Sequence, residues 1–124
     1  MKLLRFLVLS LTGASLVGAV FAGGVPQVPV KRCGWFSNPT PGNAWLVDRE
    51  AEWTIGTQGG PQAEGDWPSF KSSQWVQTNG HYGYGCACMS VVADSKTHEV
   101  SVIQSARAQS LGVCRKDHSL KAPQ

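Results

Sequence analysis

At 124 residues, 42% apolar and 15% charged, the chain has room for one small domain; it is too apolar for a disordered chain and too mixed for a fibre. With no Gly-x-y period, no heptad and a single long apolar run, it is not a collagen-like rod, a coiled coil or a multi-span membrane protein. The formal charge of +3 suggests a mildly basic protein, but much of that charge sits in the first few residues.

Lys2 and Arg5 open the chain, and Phe6 to Ala19 follow without a charge, an apolar stretch of about 14 residues where a comfortable membrane span needs roughly 20. The layout is that of a secretory signal over residues 1–22. Cleavage is expected after Ala22, where Val20 and Ala22 are small enough for the peptidase pocket, with Ala19 as second choice. No cysteine follows the apolar run to take a lipid, so no membrane anchor is expected after cleavage. Loss of Lys2 and Arg5 leaves nine basic residues against eight acidic ones, a net charge of +1. A domain this close to neutral has no basic stripe for nucleic acid. One asymmetry remains: Asp48, Glu50, Glu52, Glu64 and Asp66 face only Arg49 over residues 48–66, and solvated loops and strand edges are the plain reading of it.

Residues 23–31 form an extended, proline-spaced lead-in, and residues 32–120 a single β-rich domain with a polar tail at 121–124. Asn38-Pro39-Thr40-Pro41-Gly42-Asn43 specifies a rigid bend. Ala44 to Asp48 and Glu52 to Gly56 alternate as two short strands joined through 48–51, and Thr57 to Gly65 is a glycine-rich loop. Trp75-Val76-Gln77 is a strand, followed by an Asn79-Gly80 turn. Cys86 to Ala93 and His98 to Ser105 make the clearest hairpin, around Asp94-Ser95-Lys96-Thr97, with Val100 and Val102 facing inward. Ser105 to Leu111 is expected to form one short helical turn. The sum is an all-β domain, a small antiparallel sheet or partial barrel, with an α+β arrangement carrying one short helix as the alternative.

All four cysteines, Cys33, Cys86, Cys88 and Cys114, lie in the mature part, and an exported domain with an even count is where disulfides are expected. Cys86 and Cys88 point to the same strand face but sit near the upper limit for bridging one another. One of them therefore pairs with Cys33 and the other with Cys114, leaving the assignment open. Loops of about 28 and 55 residues each contribute roughly 3.5 to 4 kcal/mol by restricting the unfolded chain. The bridges matter because Leu, Ile, Val and Phe make up only 17 of the 102 mature residues, and the five tryptophans must supply much of the missing bulk.

The ordered set Arg32-Cys33-Gly34-Trp35-Phe36, Asn38-Pro39-Thr40-Pro41-Gly42-Asn43, Trp53-Thr54-Ile55, Gln58-Gly59-Gly60, Gly83-Tyr84-Gly85-Cys86-Ala87-Cys88 and Cys114-Arg115-Lys116-Asp117 resembles a family of small exported bacterial proteins. It is similar to the domain of unknown function 4087 over about Lys31 to Leu120. The resemblance implies a bacterial protein that is periplasmic or secreted. It implies no reaction, so no catalytic residue is carried across.

The motifs of hydrolases, zinc proteases and phosphate-binding loops are missing, and His81, His98 and His118 are scattered, so the chain reads as non-catalytic, with no cofactor and no metal. Asp48 and Glu52 across a turn are the nearest thing to a carboxylate pair. A binding module is the expected function, a monomer presenting loops to a protein partner in the cell envelope in the manner of an inhibitor or immunity protein. Its candidate residues are Trp35, Asn38, Asn43, Gln58, Gly59 and Gly60, an indole and amides suited to stacking and hydrogen bonding. Carbohydrate or peptidoglycan is the alternative ligand. A further alternative is a soft-metal or redox protein using Cys86 and Cys88. Thiol titration of the unfolded, unreduced protein is expected to find no free thiol; four free thiols would overturn both bridges.

Overall fold

The structure, a computed structural model, describes residues 27–124 together with Gly18. The expected leader, its cleavage site and the start of the lead-in therefore lie outside the described residues. The elements are β1 (Val30–Thr40), β2 (Asn43–Val47), β3 (Glu52–Gly56), a 3₁₀ turn (Ser72–Gln74), β4 (Trp75–Asn79), β5 (Tyr82–Ala93), β6 (Val100–Gln109) and a single-turn helix α1 (Leu111–Lys116). Among them no helix is long and apolar enough to cross a membrane. Val30 and Lys31, expected in the lead-in, already belong to β1.

Strands β1, β2 and β3 form an antiparallel meander, and β5 returns from a long excursion to lie against β1, the Greek-key arrangement. The twelve residues of β5 serve two partners along their other edge, β4 at Tyr82–Gly85 and β6 at Cys86–Ala93. The sheet then curls until β3 meets β6. Thr54 N–H donates to the His98 carbonyl at 2.8 Å, Ala63 N–H to Ile55 at 2.9 Å, and Ile103 N–H to Glu64 at 2.7 Å. Backbone bonds through Ala63 and Glu64 thus join the two end strands into a partly closed barrel, the all-β architecture expected from the alternation.

Alternation along β1 and β5 sends side chains to two separate apolar clusters. The barrel interior takes Phe36, Leu46, Trp53, Ile55, Met89, Val91, Val100 and Ile103 around the small Ala44 and Ala87. The opposite face takes Trp35, Cys86 and Cys114, covered by Tyr84, Val47, Leu111 and Leu120. Both cysteine pairings take the expected form, Cys33 with Cys88 and Cys86 with Cys114. The second of these ties α1 to the Trp35 side of the sheet. Trp35 and Trp53 are 2% and 3% exposed, so these two indoles replace the aliphatic bulk that the composition lacks.

Three local expectations are corrected. The bend expected over residues 38–43 is confined to Pro41-Gly42: β1 runs on through Asn38 and Pro39 to Thr40 before the chain reverses. Pro39 is tolerated because the β1–β2 register shifts between Ser37 and Thr40, an irregularity where no ladder N–H is needed from it. The helical turn expected at 105–111 is instead the end of β6, because Ser105 to Gln109 pair with Cys86 to Ser90, and the helix starts at Leu111. Val102 is not the inward residue beside Val100. The register with β5 shifts between Ser90/Val91 and Val92/Ala93, where β6 carries the extra residues Gln104 and Ser101, and this changes the phase so that Ile103, 4% exposed, points in.

Gly34 illustrates how closely the backbones approach: a Cβ there would overlap the Val47 carbonyl as the 48–51 turn crosses over β1. Gly34→Ala is expected to cost about 1–3 kcal/mol or more through forced backbone displacement. Urea unfolding checks it, with a lower midpoint at unchanged slope as the expected result.

Candidate functional site

Five of the six residues nominated from the sequence gather at one end of the molecule, but the carboxamides of Asn38 and Asn43 are taken up in internal hydrogen bonds. Asn38 Nδ2 donates to the carbonyls of Thr40 at 2.9 Å and Asn43 at 2.7 Å. Asn43 Nδ2 donates to Thr40 Oγ1 at 2.7 Å, and its Oδ1 accepts the Gln58 N–H at 2.8 Å. Gln62 Nε2 completes the lacing by donating to the Gly42 and Thr57 carbonyls. These amides hold the β1–β2 hairpin against the 57–62 loop, whose exposed tip is Gly59, with φ of 73°, and Gly60. Trp35 is not part of this cluster. It lies buried edge-on to Tyr84, with ring centroids 5.3 Å apart, beside the Cys86–Cys114 bridge.

The exposed aromatic surface lies elsewhere, where the loop before β4 packs on the sheet. Trp67, Phe70 and Trp75 are each half-buried against the core. Phe36 forms the floor, its centroid 5.6 Å from Trp67 and 5.8 Å from Phe70, and Phe70 lies 4.9 Å from Trp75. Gly85, the cross-strand partner of Trp75, makes this packing possible: any Cβ there would run into the Phe70 ring and the Gln74 carbonyl. Trp75 Nε1 donates to the His81 carbonyl at 3.0 Å, which sets the indole's tilt. The result is an open cleft of about 320 Å³ rimmed by Asn38, Lys71, Gln77 and His81, with no carboxylate in its lining. The side chains of Gln77 and His81 make no hydrogen bond among the described residues. Strand β4 ends the sheet on this side, and its outer main-chain edge has no strand partner among the described residues.

The cleft is not legible in the sequence, where nothing local separates the half-buried Trp67 and Trp75 from the buried Trp35 and Trp53. The available signal was the alternation Gly83-Tyr84-Gly85. Two glycines on one face of a strand leave a flat strip that aromatic rings from elsewhere can cover, and Gly85 opposes Trp75 in the register.

A second polar constellation, also unforeseen, is structural. The Arg32 guanidinium lies 3.7 Å from the centroid of the Trp53 ring, and its Nη1 donates to Asp48 Oδ2 and Glu50 Oε2, both at 3.0 Å. Asp48 Oδ1 accepts from Trp53 Nε1 at 3.0 Å and from the N–H groups of Glu50 and Ala51, both at 2.9 Å. Burial pushes the Asp48 carboxyl up, but the bonds from Ala51, Trp53, Glu50 and Arg32 together outweigh it and hold the group below the ordinary carboxylate range. Asp48 and Glu50, two of the five carboxylates in the acidic stretch, are thus committed to organising one turn.

The soft-metal alternative at Cys86 and Cys88 does not fit. It requires two neighbouring thiolates, whereas the two sulfurs are taken up in separate bridges to Cys114 and Cys33. Two bridges in so small a domain point to an oxidising, extracytoplasmic setting.

Fold and cysteine framework together define a small, doubly bridged Greek-key β domain with one aromatic cleft at a sheet edge. Residues 28–121 match the family DUF4087, described as a protein of unknown function, and the chain belongs to that family. No curated protein and no solved structure matches it.

Asp48→Asn is expected to lower stability by about 1–3 kcal/mol at neutral pH by weakening a largely buried charged hub. A carboxyl whose folded-state pKa is depressed stabilises the fold above about pH 4 and loses that contribution as pH falls through the lowered value. Urea unfolding across acidic pH is therefore expected to give a shallower loss of stability in Asp48→Asn than in the parent protein.

Proposed function

We propose that the protein is a non-catalytic binding domain of the periplasm or the secreted space, and that it captures an extended segment of a partner protein along β4. What carries the reading is the juxtaposition of three half-exposed aromatic rings with a strand edge that has no strand partner among the described residues. A strand edge offers main-chain hydrogen bonds to any extended peptide, and a neighbouring apolar cleft selects among side chains. The export reading rests on the signal-like residues 1–22 and on the two bridges. The non-catalytic reading rests on the scattering of His81, His98 and His118 and on the engagement of Asp48 in a turn.

A glycan ligand is the second reading, favoured by one observation: the indole faces stand beside the uncommitted carboxamide of Gln77 and the ring of His81, the pairing of stacking surface and planar hydrogen-bonding groups that suits a sugar ring. Short peptides selected by phage display and soluble peptidoglycan fragments separate the two when each is titrated against the indole N–H resonances. Peptides are expected to perturb Trp67 and Trp75 and leave Trp35 and Trp53 unmoved. Trp75→Ala is expected to weaken that binding by about tenfold or more, as for an anchor residue at an interface. Perturbation by glycan fragments alone would transfer the site to the second reading, and no perturbation by either would overturn both.

A further inference from the structure

The two disulfides differ in surroundings in a way that the binding reading does not use. Cys86 and Cys114 are 1% and 2% exposed, packed under Trp35 and Leu111. Cys33 is exposed and Cys88 half-buried, on the outer face of the β1–β5 ladder. Cys88 has Cys33 directly opposite on β1 and Arg107 directly opposite on β6, and two residues along on the same face Ser90 stands between Lys31 and Ser105. Cys88, Ser90, Lys31, Ser105 and Arg107 line a cleft of about 460 Å³ that contains no carboxylate, and Cys33 lies outside that lining, at the other end of its bond to Cys88. Lys31 and Arg107 are exposed and form no salt bridge among the described residues, where the ion pairs are those of Arg32 with Asp48 and Glu50.

We propose that the Cys33–Cys88 bridge is a thiol–disulfide exchange site for an anionic thiol, and that the Cys86–Cys114 bridge is purely structural. The incoming thiolate attacks the exposed Cys33 sulfur, a bond forms between them, and the electron pair of the Cys33–Cys88 bond leaves on Cys88. That thiolate faces Lys31 and Arg107, and nearby cations make a thiolate a better leaving group. A second external thiolate then attacks the outer sulfur of the mixed disulfide. This releases an oxidised external disulfide and a Cys33 thiolate that takes a proton from water, so the protein gains the electron pair that the two external thiols lose. A carboxylate carried beside the reacting thiol is drawn to the same two cations, which concentrate anions in the cleft. The fold tolerates the opening because β1 and β5 remain joined by nine register pairs from Val30 to Asn38.

The full chain is treated with glutathione, which carries carboxylates, or with cysteamine, which is cationic. Adducts are trapped by alkylation and located by peptide mapping, with rates compared per thiolate. The expected result is an adduct on Cys33 with Cys86–Cys114 intact, and glutathione ahead by about tenfold or more at low salt. That lead is expected to vanish at high salt and in the Lys31→Gln, Arg107→Gln double variant, whose melting temperature is expected to be unchanged because both side chains are exposed. Opening of both bridges together, equal rates for the two thiols in the parent protein, a lead that persists in the double variant, or no reaction short of unfolding would each overturn the proposal.

Discussion

The antiparallel ladder between β1 and β5 is the contact on which everything else in the molecule rests. It joins residues about 50 positions apart, and such closure is entropically costly until many pairings form together. The Cys33–Cys88 bridge lies within this ladder and lowers that cost by restricting the unfolded chain. Because successive residues of a strand face opposite ways, the same ladder defines both environments of the domain. Phe36, Ala87 and Met89 face the barrel interior, while Trp35, Cys86 and the Cys33–Cys88 pair face outward.

Charge follows the same division. Arg32, on the barrel side of β1, stacks on Trp53 and gathers Asp48 and Glu50 into a single turn. Its neighbour Lys31 faces the other way and joins Arg107 in a cleft without acids. A chain of small net charge therefore presents one compensated and one uncompensated basic position from adjacent residues of one strand. Alternation of side chains, not net charge, produces this contrast.

The tryptophans do not act as a class. Trp35 and Trp53 fill two different apolar clusters, where a domain poor in aliphatic residues needs volume. Trp67 and Trp75 complete a cleft at the sheet edge, with Phe36 as its floor and Gly85 leaving room for Phe70. The same residue type thus serves stability in one place and presents a surface in the other.

Alternation and turn chemistry in the sequence were sufficient for the all-β class, the 44–48 and 52–56 strands, the 86–93 hairpin arm and the form of the cysteine pairing, because these depend on residues near one another or on the reach of a single strand. The Asn38-Pro39 segment and Val102 escaped such reading. A register irregularity admits a proline, and a register shift moves a strand's inward phase, and neither is visible until the partner strand is in place. The amides of Asn38 and Asn43 look the same in sequence whether they are free or bound to a turn, and only the hairpin geometry commits them. Likewise the aromatic cleft and the unequal surroundings of the two bridges arise from residues far apart in the chain. The sequence alone determined which side chains were available and which way each strand would alternate. Tertiary structure decided which of them meet, because Greek-key closure sets long-range register, and register decides what lies opposite what.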